Sequence, residues 1–289
     1  MKNYWFIGDI HGEVRLLDKL LEQVFRSDPA GIIFVGDYID RGPYSKQVID
    51  RIMALNVPAH CLLGNHEMMM LDALENNRFG YSPIELWYYN GGKATLRSFG
   101  FTSFFSFQSG MEPGYLRFFR NLKMNHVVHL TDRLRVMAVH AGVSPAIPLD
   151  DQMKMKNYRD LNKYMQEHHI DPGASFLWVR EDFYNSSHEL WDRYLLVHGH
   201  TPVLKLKRFI SGNGRKHFLF VENDLCIRKA AGTGKIASID IDSGSAVSGR
   251  LTGLGFFTEH EGEPEKRVRM RSITVTAGEI ITRDLGRAE

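Results

Sequence analysis

The chain has 289 residues, 43% of them hydrophobic, enough to bury a sizeable core in one large domain or two small ones. A charged fraction of 24% and a net charge of +2 are ordinary for a soluble globular protein and give no global reason to expect nucleic acid as a partner. Two cysteines, Cys61 and Cys226, fit no metal or redox spacing and read as reduced thiols of a cytoplasmic protein. No stretch approaches the ~20 apolar residues of a membrane span, and the apolar run at the N-terminus is too short for a signal peptide.

In chain order, Tyr4 to Gly8 is a short apolar run that reads as a buried strand. Leu16, Leu17, Leu20, Leu21, Val24 and Phe25 recur at helical spacing and predict a helix from Glu13 to Phe25. Gly31–Val35 is a second strand. A helix follows over Ser45–Leu55, with Pro43 where a helix start tolerates it. His60–Leu63 is a third strand and Glu67–Glu75 a third helix, in which Met68, Met69 and Met70 read as packing residues. Strand then helix three times over argues for an α/β fold with a largely parallel sheet. Residues 79–130 read as mixed short helices, Arg133–Val139 as a strand, Gln152–Glu167 as one polar surface helix, and Tyr194–Val197 as another buried strand. Residues 204–235 are basic, lack a clean period and read as a solvated hairpin inserted in the domain. Residues 236–241 and 250–257 read as strands. Residues 267–284 alternate weakly around Thr276-Ala277-Gly278-Glu279, a hairpin turn. No linker divides the chain, so residues 1–289 are expected to form one domain with a C-terminal extension over about 259–289.

The three strand-to-helix junctions carry nearly the same punctuation: Gly8-Asp9-Ile10-His11-Gly12, Gly36-Asp37-Tyr38-Ile39-Asp40-Arg41-Gly42, and Gly64-Asn65-His66-Glu67. Ligands of open α/β sheets bind outside the carboxyl ends of the strands, where all three junctions lie. Two later strands end in His140-Ala141-Gly142 and His198-Gly199-His200-Thr201, each delivering an imidazole to the same edge. Carboxylate, amide and imidazole donors suit first-row divalent metals, and a carboxylate can bridge two ions that clamp a phosphate. Taken singly, Asp9 and Asp37 read more readily as helix caps than as ligands, and Asn65 could simply cap the helix at Glu67. Capping leaves His11, His66, His140 and His200 at equivalent places unexplained. Ala231-Gly232-Thr233-Gly234-Lys235 looks like a phosphate loop but lacks the Walker pattern, having Lys229 and Ile236 where Gly and Ser or Thr are needed.

These motifs resemble the phosphoprotein phosphatase family of calcineurin-like metallophosphoesterases, in order, over roughly residues 5–203 and again at 241–254. The resemblance implies an αββα sandwich of two mixed sheets flanked by helices, the C-terminal strands completing the second sheet. It implies a phosphatase with two divalent ions, manganese favoured with iron or zinc as alternatives. Asp9 and His11 would hold the first ion, Asp37 would bridge, and Asn65, His140 and His200 would hold the second. A bridging hydroxide would attack phosphorus in line, Arg41 and Arg180 would meet the phosphoryl oxygens, and His66, oriented by Asp40, would be the general acid. His198 has no role in the family and is expected to be structural.

Substrates implied are a phosphoserine or phosphothreonine protein or a small phosphate ester. The alternative is a dinucleotide polyphosphate hydrolase of the symmetrical diadenosine tetraphosphatase kind. Those hydrolases typically lack an acid at the position of Asp40 and carry Asp at that of Glu67. An anhydride has a good leaving group, whereas an alkyl monoester needs an acid, so Asp40 and Glu67 favour the monoesterase. A binding scaffold without turnover would have lost a ligand, and none is missing.

Overall fold

A computed structural model describes residues 2–75, 82–210, 212–259 and 267–288. Its core is two stacked six-stranded mixed sheets. The first runs in the order β12-β11-β10-β1-β2-β3, where β1 is Asn3–Ile7, β2 Gly31–Phe34, β3 Ala59–Cys61, β10 Leu251–Glu259, β11 Arg267–Val275 and β12 Ile280–Arg287. The second runs β4-β5-β6-β9-β8-β7, with β4 Asn125–His129, β5 Arg135–Val139, β6 Leu195–His198, β7 Phe218–Val221, β8 Leu225–Lys229 and β9 Ile236–Asp240. The parallel strands β1-β2-β3 form one side of the first sheet, ending at the β3 edge, and the parallel strands β5-β6-β9 form the centre of the second, with antiparallel strands on both sides.

Alternation along each strand builds the layers. In β1, Trp5 and Ile7 face the helices α1 (Val14–Phe25), α2 (Ser45–Met53) and α3 (Asn65–Glu75), while Phe6 faces the other sheet. Between the sheets Phe6, Ile33, Val35, Val136, Val197, Ile239, Leu254 and Phe256 pack with essentially no exposure. Burial of each such side chain stabilises the fold by about 1.5–3 kcal/mol. On the outer face of the second sheet Met137, Leu196 and Cys226 meet Phe183, Trp191 and Leu206. Met68, Met69 and Met70 are all buried in the helical layer, as expected of packing residues. Leu63 N–H donates to Lys123 O and Lys123 N–H to Cys61 O, which ties the β3 edge to the chain entering β4.

Four expectations need correction. The C-terminal strands extend the first sheet, not the second: β10 pairs antiparallel with β1, and β11 and β12 follow outward. The predicted hairpin turn at Thr276–Glu279 joins β11 to β12, with Thr276 N–H donating to Glu279. The second sheet is completed by β9 and by the basic insertion, whose β8 is buried from Leu225 to Arg228. Arg228 is not solvated: it donates to the carbonyls of Phe183 and Ser186 and lies over the Trp191 ring. Gln152–Glu167 is two helices, Leu149–Lys154 and Tyr158–His168, because Asn157 caps the second by accepting from the N–H groups of Arg159 and Asp160. Its buried residues Tyr158, Leu161 and Met165 show that it is amphipathic, not a purely surface helix. The short-helix region also contains β4; residues 79–81 of it, position 211 of the insertion, and 260–266 and 289 of the C-terminal extension lie outside the described residues. Among the described residues no helix is long and apolar enough to cross a membrane.

Between α3 and the helix Tyr158–His168, Asp72 is mostly shielded beside Asn162, and burial pushes its carboxyl up to about 7. Unfolded, it ionises near pH 4. Between these values the native state holds the extra proton, so this group's contribution to stability falls as pH rises from about 4 to 7. Asp72→Asn is therefore expected to raise the melting temperature at pH 8 and change it little at pH 4. A shift that is the same at both values would overturn that assignment.

Candidate metal centre

The loops after β1, β2, β3, β5 and β6 meet at one edge of the sandwich, and with them Asp9, His11, Asp37, Asn65, His140 and His200, all buried. Two groups of potential ligand atoms form there: His11, Asp37 and His66, and Asp37, His140 and His200. Asp37 is shared by both, as a bridging carboxylate would be. Its Oδ2 lies 3.5 Å from His11 Nε2 and its Oδ1 3.5 Å from His140 Nε2.

Each imidazole is turned by a backbone carbonyl. His11 Nδ1–H donates to Ile39 O and His140 Nδ1–H to Val35 O, both at 2.9 Å, and His200 Nε2–H donates to Trp178 O at 3.2 Å. These bonds fix the tautomers and aim the remaining lone pairs at the centre. Burial holds all three imidazoles below their usual pKa, aided by Arg41 at His11 and Arg180 at His200, which favours the neutral form that can ligate. His140 Nε2 and His200 Nδ1 each meet Asn65 Oδ1 at 2.9 Å, which brings three acceptors together. Asp9 Oδ1 is buried with no hydrogen-bond partner, while its Oδ2 accepts from His200 N–H. Acceptors facing acceptors and an orphaned carboxylate oxygen are the surroundings a cation satisfies. The charge balance agrees. Asp9, Asp37, Asp40, Glu67, Asp240 and Asp242 are all buried in or around the centre, and Arg41 and Arg180 approach it. Burial, with Asp242 and Asp37 close by, pushes Asp9 well up, and burial pushes Asp242 up to about 6. Asp37 goes the other way: burial opposes its ionisation, but His140, His66, His11 and Arg41 around it hold it well below the usual carboxylate range.

The helix-cap alternative is removed for two residues, since Glu13 and Tyr44 occupy the N-cap positions of α1 and α2 that Asp9 and Asp37 would have taken. His198 is in neither group of ligand atoms and contacts Phe183 and Tyr184 on the outer face of the second sheet. Arg180 opens the short helix Glu181–Asn185, and Arg41 reaches His11 Nε2 at 2.6 Å and His66 Nε2 at 2.9 Å. His66 lies closer to the ligand atoms than its expected role requires, with Nε2 3.9 Å from Asp37 Oδ2. Its Nδ1–H is given to Asp40 Oδ2 at 2.8 Å.

Several site residues were not visible as such in the sequence. Asp40 is clamped by Thr95 Oγ1–H at 2.6 Å and Trp87 Nε1–H at 3.0 Å, from the helices Pro83–Tyr89 (α4) and Gly92–Ser98 (α5). Glu67, earlier only a point of comparison, is a strut. Its two oxygens accept from the N–H groups of Gly64, Asp37, Tyr38 and Ile39. Five of the eight described non-glycine residues with positive φ are His11, Asp37, Asp40, Arg41 and His200, a concentration of backbone strain that this strut helps to hold. Glu67→Gln would aim an NH2 group at two of those donors. The expected cost is about 2–4 kcal/mol of stability, read from urea midpoints. A loss below about 0.5 kcal/mol would mean that the loop is held elsewhere.

A two-sheet α/β sandwich that gathers Asp, Asn and His at one edge, around a shared carboxylate, defines a metallophosphoesterase, a hydrolase of phosphate esters. Residues 2–228 match the calcineurin-like phosphoesterase family, and the chain belongs to it; the family depends on a dinuclear metal centre. The serine/threonine-protein phosphatase 2 of Escherichia coli K12 is 28% identical over 262 residues, 87% of this chain and 91% of that protein. Its namesake from Salmonella typhimurium LT2 is 40% identical over 93 residues, 32% of this chain and 39% of that one. A symmetrical bis(5'-nucleosyl)-tetraphosphatase of Buchnera aphidicola is 25% identical over 151 residues, 52% of this chain and 48% of that one. The chain thus spans most of the first relative and less than half of the other two.

Proposed function

We propose that the protein is a phosphomonoesterase acting on phosphoserine or phosphothreonine in proteins, with two manganese ions. The observation that carries this reading is the Asp40–His66 pair. An acid is needed for a poor alkoxide leaving group, and here Trp87 and Thr95 hold Asp40 so that His66 keeps one orientation. Asp9, His11 and Asp37 would hold one ion, and Asp37, Asn65, His140 and His200 the other. When bound, the ions would supply Lewis-acid polarisation of the phosphoryl oxygens and an acidified attacking water. Arg41 and Arg180 bind the phosphoryl oxygens and offset the charge that spreads over them during transfer. His66 Nε2 then delivers a proton to the leaving oxygen, and Asp40 stabilises the imidazolium before that transfer.

The same proposal treats residues 1–289 as one domain, since the pairing of β1 with β10 joins its two ends and β8 joins the insertion to β9. It places the protein in the cytoplasm, in keeping with two free thiols at Cys61 and Cys226.

The test is product release from metal-stripped protein on adding manganese, with a phosphothreonine peptide and diadenosine tetraphosphate assayed in parallel. Metal-dependent turnover of the peptide is the expected result. Cleavage of the dinucleotide alone would leave the metal centre standing and replace the monoesterase by a dinucleotide polyphosphate hydrolase.

A further inference from the structure

At the opposite edge of the second sheet lies a separate cavity of about 490 Å³. Arg135 opens β5, Leu195 opens β6 and Ile236 opens β9, and all three line it. The far ends of those strands lead to His140, His200 and Asp242, so the length of a strand, roughly 15 Å, separates the cavity from the metal centre. Its charged lining is Arg133, Arg135, Arg193 and Lys235 against Asp192, with His188 beside them. Arg193 is shared with Asp150 outside the cavity. For Arg135 and Lys235 no carboxylate partner is recorded among the described residues. Arg135 and Arg193 both stand over the ring of Tyr194, at 5.3 and 5.6 Å from its centroid, so one aromatic ring holds two guanidinium groups in place.

A second feature converges on the same space. The turn from β8 to β9 is the glycine-rich segment Ala230–Lys235, closed by Ala230 N–H to Lys235 O at 2.7 Å and Gly234 N–H to Ala230 O at 3.1 Å. Gly232 and Gly234 have φ of +82° and +70°, a backbone that side chains resist, and neither has a neighbour within contact range of an added Cβ. Thr233 and Lys235 of this turn line the cavity with the arginines. The segment fails as a Walker loop because no helix follows it, yet the fold sets its threonine and lysine facing the arginine cluster.

We propose that this cavity binds a compact polyanion carrying several phosphate groups, either inorganic polyphosphate or the phosphate chain of a nucleotide. Cations gathered in a concavity focus a positive field, and guanidinium groups match phosphate oxygens two at a time. Arg135 and Lys235, which have no carboxylate partner among the described residues, supply the charge such a ligand would meet. The volume suits a ligand of mononucleotide size.

The full chain, with excess magnesium present, is titrated calorimetrically with tripolyphosphate and, separately, with the β,γ-methylene analogue of adenosine triphosphate. Lys235 is exposed on the turn, so Lys235→Glu tests the site without disturbing the core; Arg135→Glu is the second variant. Each is expected to weaken binding about tenfold or more while phenyl phosphate turnover is unchanged. Tighter binding of the analogue than of tripolyphosphate assigns a nucleotide, and the reverse assigns inorganic polyphosphate. Isotherms of Lys235→Glu that superimpose on those of the unaltered chain, or no binding of either probe at millimolar concentration, overturn the proposal; the first result would confine binding to the metal centre.

Discussion

His66→Asn is expected to lower turnover of alkyl phosphates by about 10²–10⁴-fold, and that of aryl phosphates by less than about tenfold, while both metal ions are retained. The difference follows from leaving-group chemistry. A phenolate departs without a proton, whereas an alkoxide must be protonated as the bond to phosphorus breaks. In the proposed mechanism His66 supplies that proton. Its Nδ1–H is anchored on Asp40, and Asp40 is in turn fixed by Thr95 and Trp87, leaving Nε2 at the centre beside Arg41. The same variant resolves an ambiguity of geometry. His66 Nε2 lies within reach of the ligand atoms of His11 and Asp37, so the residue could be read as a ligand. Parallel measurements of metal content and of both substrate classes separate the readings. Loss of a metal ion would make His66 a ligand, and equal losses on alkyl and aryl substrates with both ions retained would sink the general-acid role.

The proposed ligand set was legible in the sequence because each of its residues sits at the end of a strand, where a glycine marks the turn. Gly8-Asp9, Gly36-Asp37 and Gly64-Asn65 announce themselves, and the topology of parallel strands then requires that they meet. The supports of the site were less legible. Trp87 and Thr95 lie in two short helices with no motif around them, and only the fold brings them to Asp40. Glu67 looked like the start of a helix, and nothing local reveals that its carboxylate turns back to four N–H groups, three of them about thirty residues earlier. The assignment of strands to sheets failed for a related reason. Residues 250–257 read as a strand from their composition, but a strand buried on both faces does not encode its partner. The choice of β1, some 250 residues away, is made by packing of the whole. Arg228 misled in the opposite sense. Charge in a sequence argues for solvent, and here two carbonyls and three aromatic rings make a buried place for it.

Gly199→Ala is expected to reduce turnover by about a hundredfold or more and to lower metal content, with little change in the cooperativity of unfolding. Gly199 stands between His198 and His200, and its N–H donates to the His140 carbonyl. A Cβ added there would overlap Asp9 Oδ1, the buried oxygen with no hydrogen-bond partner, and would press on Val35 behind it. Nothing in that contact is the far end of a flexible chain: Asp9 is short, buried and already tied through Oδ2 to His200 N–H. The carboxylate must move, and a displaced ligand of ~1 Å is enough to cost two orders of magnitude in rate. Gly64→Ala should behave alike through Asp37, since its Cβ would overlap both Asp37 Oδ1 and the Asp37 backbone nitrogen. Gly278→Ala, in the β11–β12 turn with no neighbour near its Cβ, is the control and should leave activity and metal content unchanged. The three variants together ask whether glycine is needed beside the ligands for the space it leaves, not for the turn it permits. Neither Gly64 nor Gly199 has a positive φ, so strain of the backbone is not available as an explanation for either. If Gly199→Ala keeps its metal and its rate, Asp9 Oδ1 is not a ligand of the first ion.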